Sequence, residues 1–522
     1  MWNENDKTDP STDGTAIENE PRRLVREGYQ VLVRDQASSP DKLFIGGHGL
    51  AHLDKDLVIL DHDNADHPRF WTLRKKFINT AIVGGCCFLA PFSSTIFAPS
   101  IHLIMDSLDI TNDTLGALQV SIFMFSFAVG PLLLAPLSET YGRRIIVLCG
   151  NLVFIAFSIG GGFSQTSVQL AITRFIAGLG GSSAIAIVGG VVTDLWDLPS
   201  RPKASAIIML GPVLGPIIGP VCGGWMSERA TWRWTLWIPA IASSLLTAVA
   251  FFYLAETYAP RVLDQTLKRK TRETGGNHYT VMDLESRPHG LRSLLIQFIR
   301  PVVYIFIDPA VGMASFLYSV IFGIIYLLIV TYDLVFGLGY HQSVGIVGTQ
   351  FLAIGIGMMI GTFGTVKAME FIFKKGGPDA HETFKAESRV LSCVVGVLLC
   401  FSGLFIYGFT ALKTHFIVPL VGVVIFAAGA TNVMVGVQLY SIEGFEYPAS
   451  AFAAISFLRC VFAGAFPLFG AQLFEALGID WGMGLLAFLA LGICLPLMVL
   501  LYIFGPRLRS VGVKNMTRFM QS

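Results

Sequence analysis

From residue 77 onward, long apolar runs alternate with short polar breaks. The runs lie at about 77–100, 115–136, 145–163, 168–192, 205–226 and 234–254, then at 308–334, 343–366, 389–412, 415–440, 449–473 and 483–504. Each comes close to or exceeds the ~20 helical residues that cross a bilayer's hydrocarbon core. A polar stretch of about 46 residues (255–300) separates the two sets of six. The pattern predicts an all-α integral membrane protein with twelve transmembrane helices, arranged as 77–254, a cytosolic linker at 255–307, and 308–504. Residues 1–76 mix 14 acidic with 11 basic side chains and show little helical period, which predicts a disordered tail. The end of that tail, HPRFWTLRKKF, alternates aromatics with cations and reads as a segment near 67–76 lying at the headgroups. Residues 505–522 form a short second tail.

Composition strengthens this reading. Only 14% of residues are charged, against about 25% in soluble domains. The formal net charge of +1 gives no reason to expect a nucleic-acid partner. All eight cysteines fall in apolar runs without C-x-x-C or metal spacing, so neither a disulfide framework, a metal site nor a cofactor is expected. With the N-terminus in the cytosol, 32 Lys and Arg face the cytosol and three face outside, a strong positive-inside bias. Both termini are therefore expected in the cytosol. The first 76 residues lack the features of a signal peptide, and the first span is expected to serve as an uncleaved insertion signal.

Four constellations carry candidate chemistry. In GPVLGPIIGPVCGG, Gly211, Gly215, Gly219 and Gly223 recur every four residues, with Pro212, Pro216 and Pro220 beside them. Small residues at this spacing let helices approach closely in lipid, and each proline frees a carbonyl that a neighbour must satisfy. The stripe is either a static packing face or a moving one. At the turn between spans 2 and 3, Glu139, Gly142, Arg143 and Arg144 form either plain topology signals or a cytosolic ion-pair latch. Arg174 and Arg459 lie inside spans, where a charge costs at least about 2.5–3.5 kcal/mol and points to a water-lined interior. No Asp or Glu lies mid-span; Asp308 begins span 7 and Glu443 ends span 10, and these two are the remaining coupling candidates.

Taken together, APLSETYGRR, RFIAGLGG, GPVLGPIIGPVCGG, WRWTLWIPA, ETYAP and EYPASAFAAISFLRCVFAGAFPLFG resemble motifs of the major facilitator superfamily. The resemblance is specifically to its fungal twelve-span drug:proton antiporters, and it covers residues from about 67 to 509. It implies two pseudo-symmetric six-helix bundles around a central cavity, rocking between inward-open and outward-open states. It implies a proton-coupled exporter of drugs, toxins or secondary metabolites, acting as a monomer in the plasma membrane, with small molecules, protons and lipid as its partners. Arg174 is tied by the same resemblance to proton coupling. Candidate cavity residues are Ser94, Gln119, Phe123, Tyr318, Tyr326, Gln350, Asn432 and Gln438, each of which could instead make a helix–helix hydrogen bond or a lipid contact.

Two alternatives remain at this stage: import of a polyamine, sugar or organic acid, and a non-transporting membrane sensor. A membrane enzyme is disfavoured, because none of the ten histidines falls well within a span.

Overall fold

A computed structural model describes residues 57–58, 67–197, 200–275, 279–280, 291–375, 387–445 and 448–521. The predicted disordered tail lies almost wholly outside the described residues. The chain divides into two units, residues 1–71 with 258–288, and residues 72–257 with 289–522. In the smaller unit a helix spans Ala259–Thr274, and Leu57–Val58 pairs in parallel with Tyr279–Thr280.

The larger unit is helical. Its first six crossings are α1 (Leu73–Thr95), α2 (Asp113–Tyr141), α3 (Arg143–Gly162), α4 (Ser167–Leu195), α5 (Arg201–Arg229) and α6 (Trp234–Tyr253). The next four are α7 (Pro309–Tyr332), α8 (Leu352–Lys375), α9 (Glu387–Thr410) and α10 (Ile417–Gly444). α11 (Pro448–Ala465) runs through a 3-10 turn, Phe466–Phe469, into the helix Gly470–Leu489. Gly478 breaks that helix with φ 73° and ψ 167°. α12 is the path from this break through Leu495–Gln521. Among the described residues eleven stretches are long and apolar enough to span a membrane, and the last, Ser450–Met516, is 67 residues long. At 1.5 Å per residue that is about 100 Å of helix, enough for two crossings. The multi-pass, all-helical expectation is met.

Helices are the form in which single segments satisfy their own backbone groups inside lipid. Their exposed ends use side-chain caps: Asn112 Oδ1 accepts from Thr114 N at 2.8 Å, and Thr166 Oγ1 accepts from Gln169 N at 3.3 Å. The interval between the halves is more structured than a polar linker suggests. Its last part, Leu291–Ile307, is a helix that packs against α2, α7, α11 and α12.

Two bundles emerge from the packing. α1–α6 contact one another, as do α7–α12, and the seam between them is made by α2 with α11 and by α5 with α8 and the short helix Val344–Gln350. At the end remote from the α1 N-terminus, Glu228 Oε2 accepts from Gly345 N at 2.7 Å and Gln472 Nε2 donates to Thr114 Oγ1 at 3.1 Å. His102 Nε2 and Asp333 Oδ2 stand 4.0 Å apart at the same end.

Candidate functional site: an arginine–aromatic seam

At the seam, both span arginines sit among aromatic rings. Arg174, on α4, is 1% exposed. Its Nη2 donates to the Ser94 carbonyl at 3.2 Å. That oxygen is in the last turn of α1, where carbonyls lack a helical donor. The guanidinium lies 4.0 Å from the Phe97 ring centroid and 5.1 Å from that of Phe123. Such contacts stabilise a cation by about 0.5–2 kcal/mol each. Arg459, on α11, is placed by the other bundle in a parallel way. Its Nη1 donates to the Tyr318 hydroxyl at 3.5 Å, and its guanidinium is 5.2 Å from the Phe322 centroid.

The two halves meet through α7. Tyr318, Phe322 and Tyr326 recur every four residues and so line one face, with neighbouring ring centroids 6.1 and 5.2 Å apart. Ser94 Oγ donates to the Pro91 carbonyl at 2.7 Å, leaving its lone pair for the Tyr326 hydroxyl at 3.4 Å. One run of contacts therefore joins Arg174, Ser94, Tyr326, Phe322 and Arg459 across the seam. The sequence missed Phe97 and Phe322; the four-residue aromatic spacing on α7 was the signal that could have found Phe322.

Other sequence candidates fall elsewhere. Gln119 Nε2 donates to Leu115 O and to Ser167 Oγ within the first bundle, at 3.2 and 2.9 Å. Asn432 Nδ2 donates to Thr365 Oγ1 at 2.7 Å within the second. Gln350 bonds the Gln342 side chain. Gln438 is half-buried without a partner among the described residues. Asp308 caps α7, accepting from Ala310 N and Val311 N at 2.9 and 3.3 Å. Burial pushes its carboxyl above the usual range, against those bonds and the nearby Arg509. The Glu443 side chain and residue Glu446 lie outside the described residues.

The turn between α2 and α3 is built on Gly142, whose φ of 97° suits glycine. Its arginines are held by their own bundle. Arg143 Nε donates to Asp194 Oδ2 at 2.5 Å, and Arg144 Nη2 donates to the Phe251 carbonyl at 2.7 Å. The Glu256 carboxylate accepts from the backbone amides of Arg143 and Arg144 at 3.0 and 3.2 Å, capping α3 at its positive end. Glu139 is exposed and has no partner among the described residues. Asp194, which the sequence reading did not single out, and Glu256, the first residue of ETYAP, are the acids that organise this corner.

The glycine stripe also packs within its own bundle. A Cβ at Gly211, Gly215 or Gly219 would meet the α1 backbone at 2.6–2.9 Å, and one at Gly223 the Ile96 carbonyl just past its end at 1.9 Å, so the stripe is where α5 lies against α1. The stripe therefore faces its own bundle, and Ile217, Pro220, Gly224 and Glu228 supply the α5 side of the seam between bundles. Pro220 has no N–H for the Pro216 carbonyl, and Thr95 Oγ1 donates to that carbonyl at 3.4 Å.

Comparison with known proteins agrees with this architecture. The family model described as Major Facilitator Superfamily matches residues 83–467. The chain belongs to the major facilitator superfamily. Within it, the chain is 35% identical over 465 residues to the efflux pump vrtL of Penicillium aethiopicum, covering 88% of this chain and 92% of that one. It is also 35% identical over 470 residues to the efflux pump radE of Floropilus chiversii, covering 88% and 86%. The partially occluded inward-open structure of the E. coli xylose transporter XylE shares the fold at a TM-score of 0.57 and 15% identity, over 83% of this chain and 98% of that one. As a member of this superfamily, the protein is a membrane transporter rather than an enzyme.

Proposed function

We propose that this transporter exports small organic molecules, of the drug, toxin or secondary-metabolite kind, from the cytosol in exchange for protons by alternating access. The observation that carries the reading is the arginine–aromatic run shared by the two bundles, because a solute bound there touches both moving parts. The names of the efflux-pump relatives support the outward direction. The lysine and arginine bias supports cytosolic termini, and the plasma membrane is the membrane proposed. On that orientation, the contacts Glu228–Gly345 and Gln472–Thr114 hold the outer ends together, as suits a carrier loading from the cytosol.

The test compares small molecules inside cells that lack the protein with those inside cells that overexpress it, with and without a proton uncoupler. Export driven by protons lowers the intracellular level of its substrate on overexpression, and the uncoupler abolishes the effect. A level that rises on overexpression favours the import reading, and an uncoupler-insensitive fall removes the proton.

A further inference from the structure

Two cations sit inside spans, and no Asp or Glu occupies a mid-span position to balance them. The acids near span ends have other work: Asp194 holds Arg143, Glu228 holds the Gly345 amide, and Asp308 caps α7. Ring faces stabilise a guanidinium without neutralising it. Arg174, almost fully buried, uses Nη2 on a carbonyl while Nε and Nη1 have no hydrogen-bond partner among the described residues. Arg459 Nε is likewise buried and unpartnered. A guanidinium's planar set of donors matches a carboxylate, phosphate or similar acidic group better than any neutral acceptor.

We infer that the solute carried at this seam is an organic anion: a ring-bearing, largely apolar molecule with one acidic group. The acidic group takes the unused Nε and Nη1 donors of Arg174, and Arg459 adds its charge from the other bundle. The apolar ring system lies against Phe97, Phe123, Phe322 and Tyr326. One arginine belongs to each bundle, so an anion held at Arg174 is attracted by a charge from both. The inference rests on the export reading only in taking the seam as the place where the solute sits.

The experiment uses the full chain in lipid nanodiscs and follows thermal unfolding by tryptophan fluorescence. Salicylate, 1-naphthoate and 1-pyrenebutyrate are each compared with their own methyl ester, and potassium chloride is tested alone. At least one acid should stabilise the protein at a concentration about tenfold below that of its ester. Arg174→Gln should remove that advantage, Arg459→Gln should weaken it, and Arg174→Lys, which keeps the charge, should retain part of it. The wild-type acid-to-ester comparison stands even where a variant does not fold. Esters that match their acids overturn the inference. So does chloride that reproduces the acid's shift, or glutamine variants that keep the preference. If acids win here while export in cells ignores the uncoupler, only the proton-exchange reading falls. If export is proton-driven and no acid beats its ester, only the anion falls.

Discussion

Gly219 lies where α5 packs tightly against α1, and replacing it tests that packing quantitatively. A Cβ there would stand 2.6 Å from the Phe92 carbonyl oxygen and 2.8 Å from Thr95 Oγ1. Carbon atoms do not approach backbone oxygen that closely, so the helices must part until the contact exceeds 3.0 Å. The Thr95 bond to the Pro216 carbonyl is already 3.4 Å long, and the same displacement takes it out of range. Overpacking costs about 1–3 kcal/mol, and the lost hydrogen bond adds about 0.5–1.5 kcal/mol. Against this, alanine gains about 1 kcal/mol over glycine in helix propensity. Gly219→Ala should therefore be destabilised by about 0.5–3.5 kcal/mol net. Gly189, on α4, has nothing within 4 Å of an added Cβ and serves as the control. Gly189→Ala should be neutral or slightly stabilised, because only the propensity gain applies. Both variants are compared by thermal unfolding in detergent, and Gly219→Leu is compared with wild type for surface expression and transport. Equal melting temperatures for the two alanine variants, or wild-type transport by Gly219→Leu, would refute the close-packing argument.

Three further expectations follow from the other sites. Arg174→Lys keeps a charge but loses the planar donor set, so uphill export should slow while protein level stays near wild type; an unchanged rate means guanidinium geometry is irrelevant. Glu139→Gln should speed labelling of a cysteine placed on the cytosolic side of the cavity in a background without native cysteines. The reason is that Glu139 is proposed to meet the positive end of α11 when that side shuts, a contact stabilising by about 0.3–2 kcal/mol; unchanged or slower labelling leaves it an ordinary loop residue. Asp308 has a raised value in the folded protein because of burial. The folded state thus holds this proton more tightly than the unfolded chain, so this group's stabilising contribution is present at low pH and lost as pH rises through the raised value. Asp308→Asn keeps an acceptor for the Ala310 amide, so its melting temperature should fall less than wild type's between the ordinary carboxylate value and neutral pH, and a parallel pH profile contradicts this.

The spans were legible because lipid imposes one strong rule, a long apolar run for each crossing. Arg174 and Arg459 stood out for the same reason, as charges inside such runs. Their surroundings were not legible. With 40 phenylalanines in the chain, ring partners at 97, 123 and 322 are chosen by tertiary packing rather than by local pattern. Gln119 and Asn432 look like cavity residues in sequence because polarity within a span has two uses, and only the fold shows their amide nitrogens bonded to neighbouring helices. Asp194 and Glu256 lie 51 and 113 residues from Arg143, beyond the reach of any local motif. The linker misled in the opposite sense: Leu291–Ile307 is helical, yet its charged approach hid the apolar stretch Phe298–Ile307.

The seat of Arg174 has an evolutionary consequence. Its one hydrogen bond among the described residues goes to a main-chain oxygen at Ser94, which no substitution at that position can delete. The rings at Phe97 and Phe123 are side chains and can be exchanged one at a time. A lineage can therefore retune how tightly this cation is held, and what shape stacks beside it, without ever losing the cation's anchor. Mutational paths between transporters of different solutes would then run through the ring positions, with the arginine kept in place at every step.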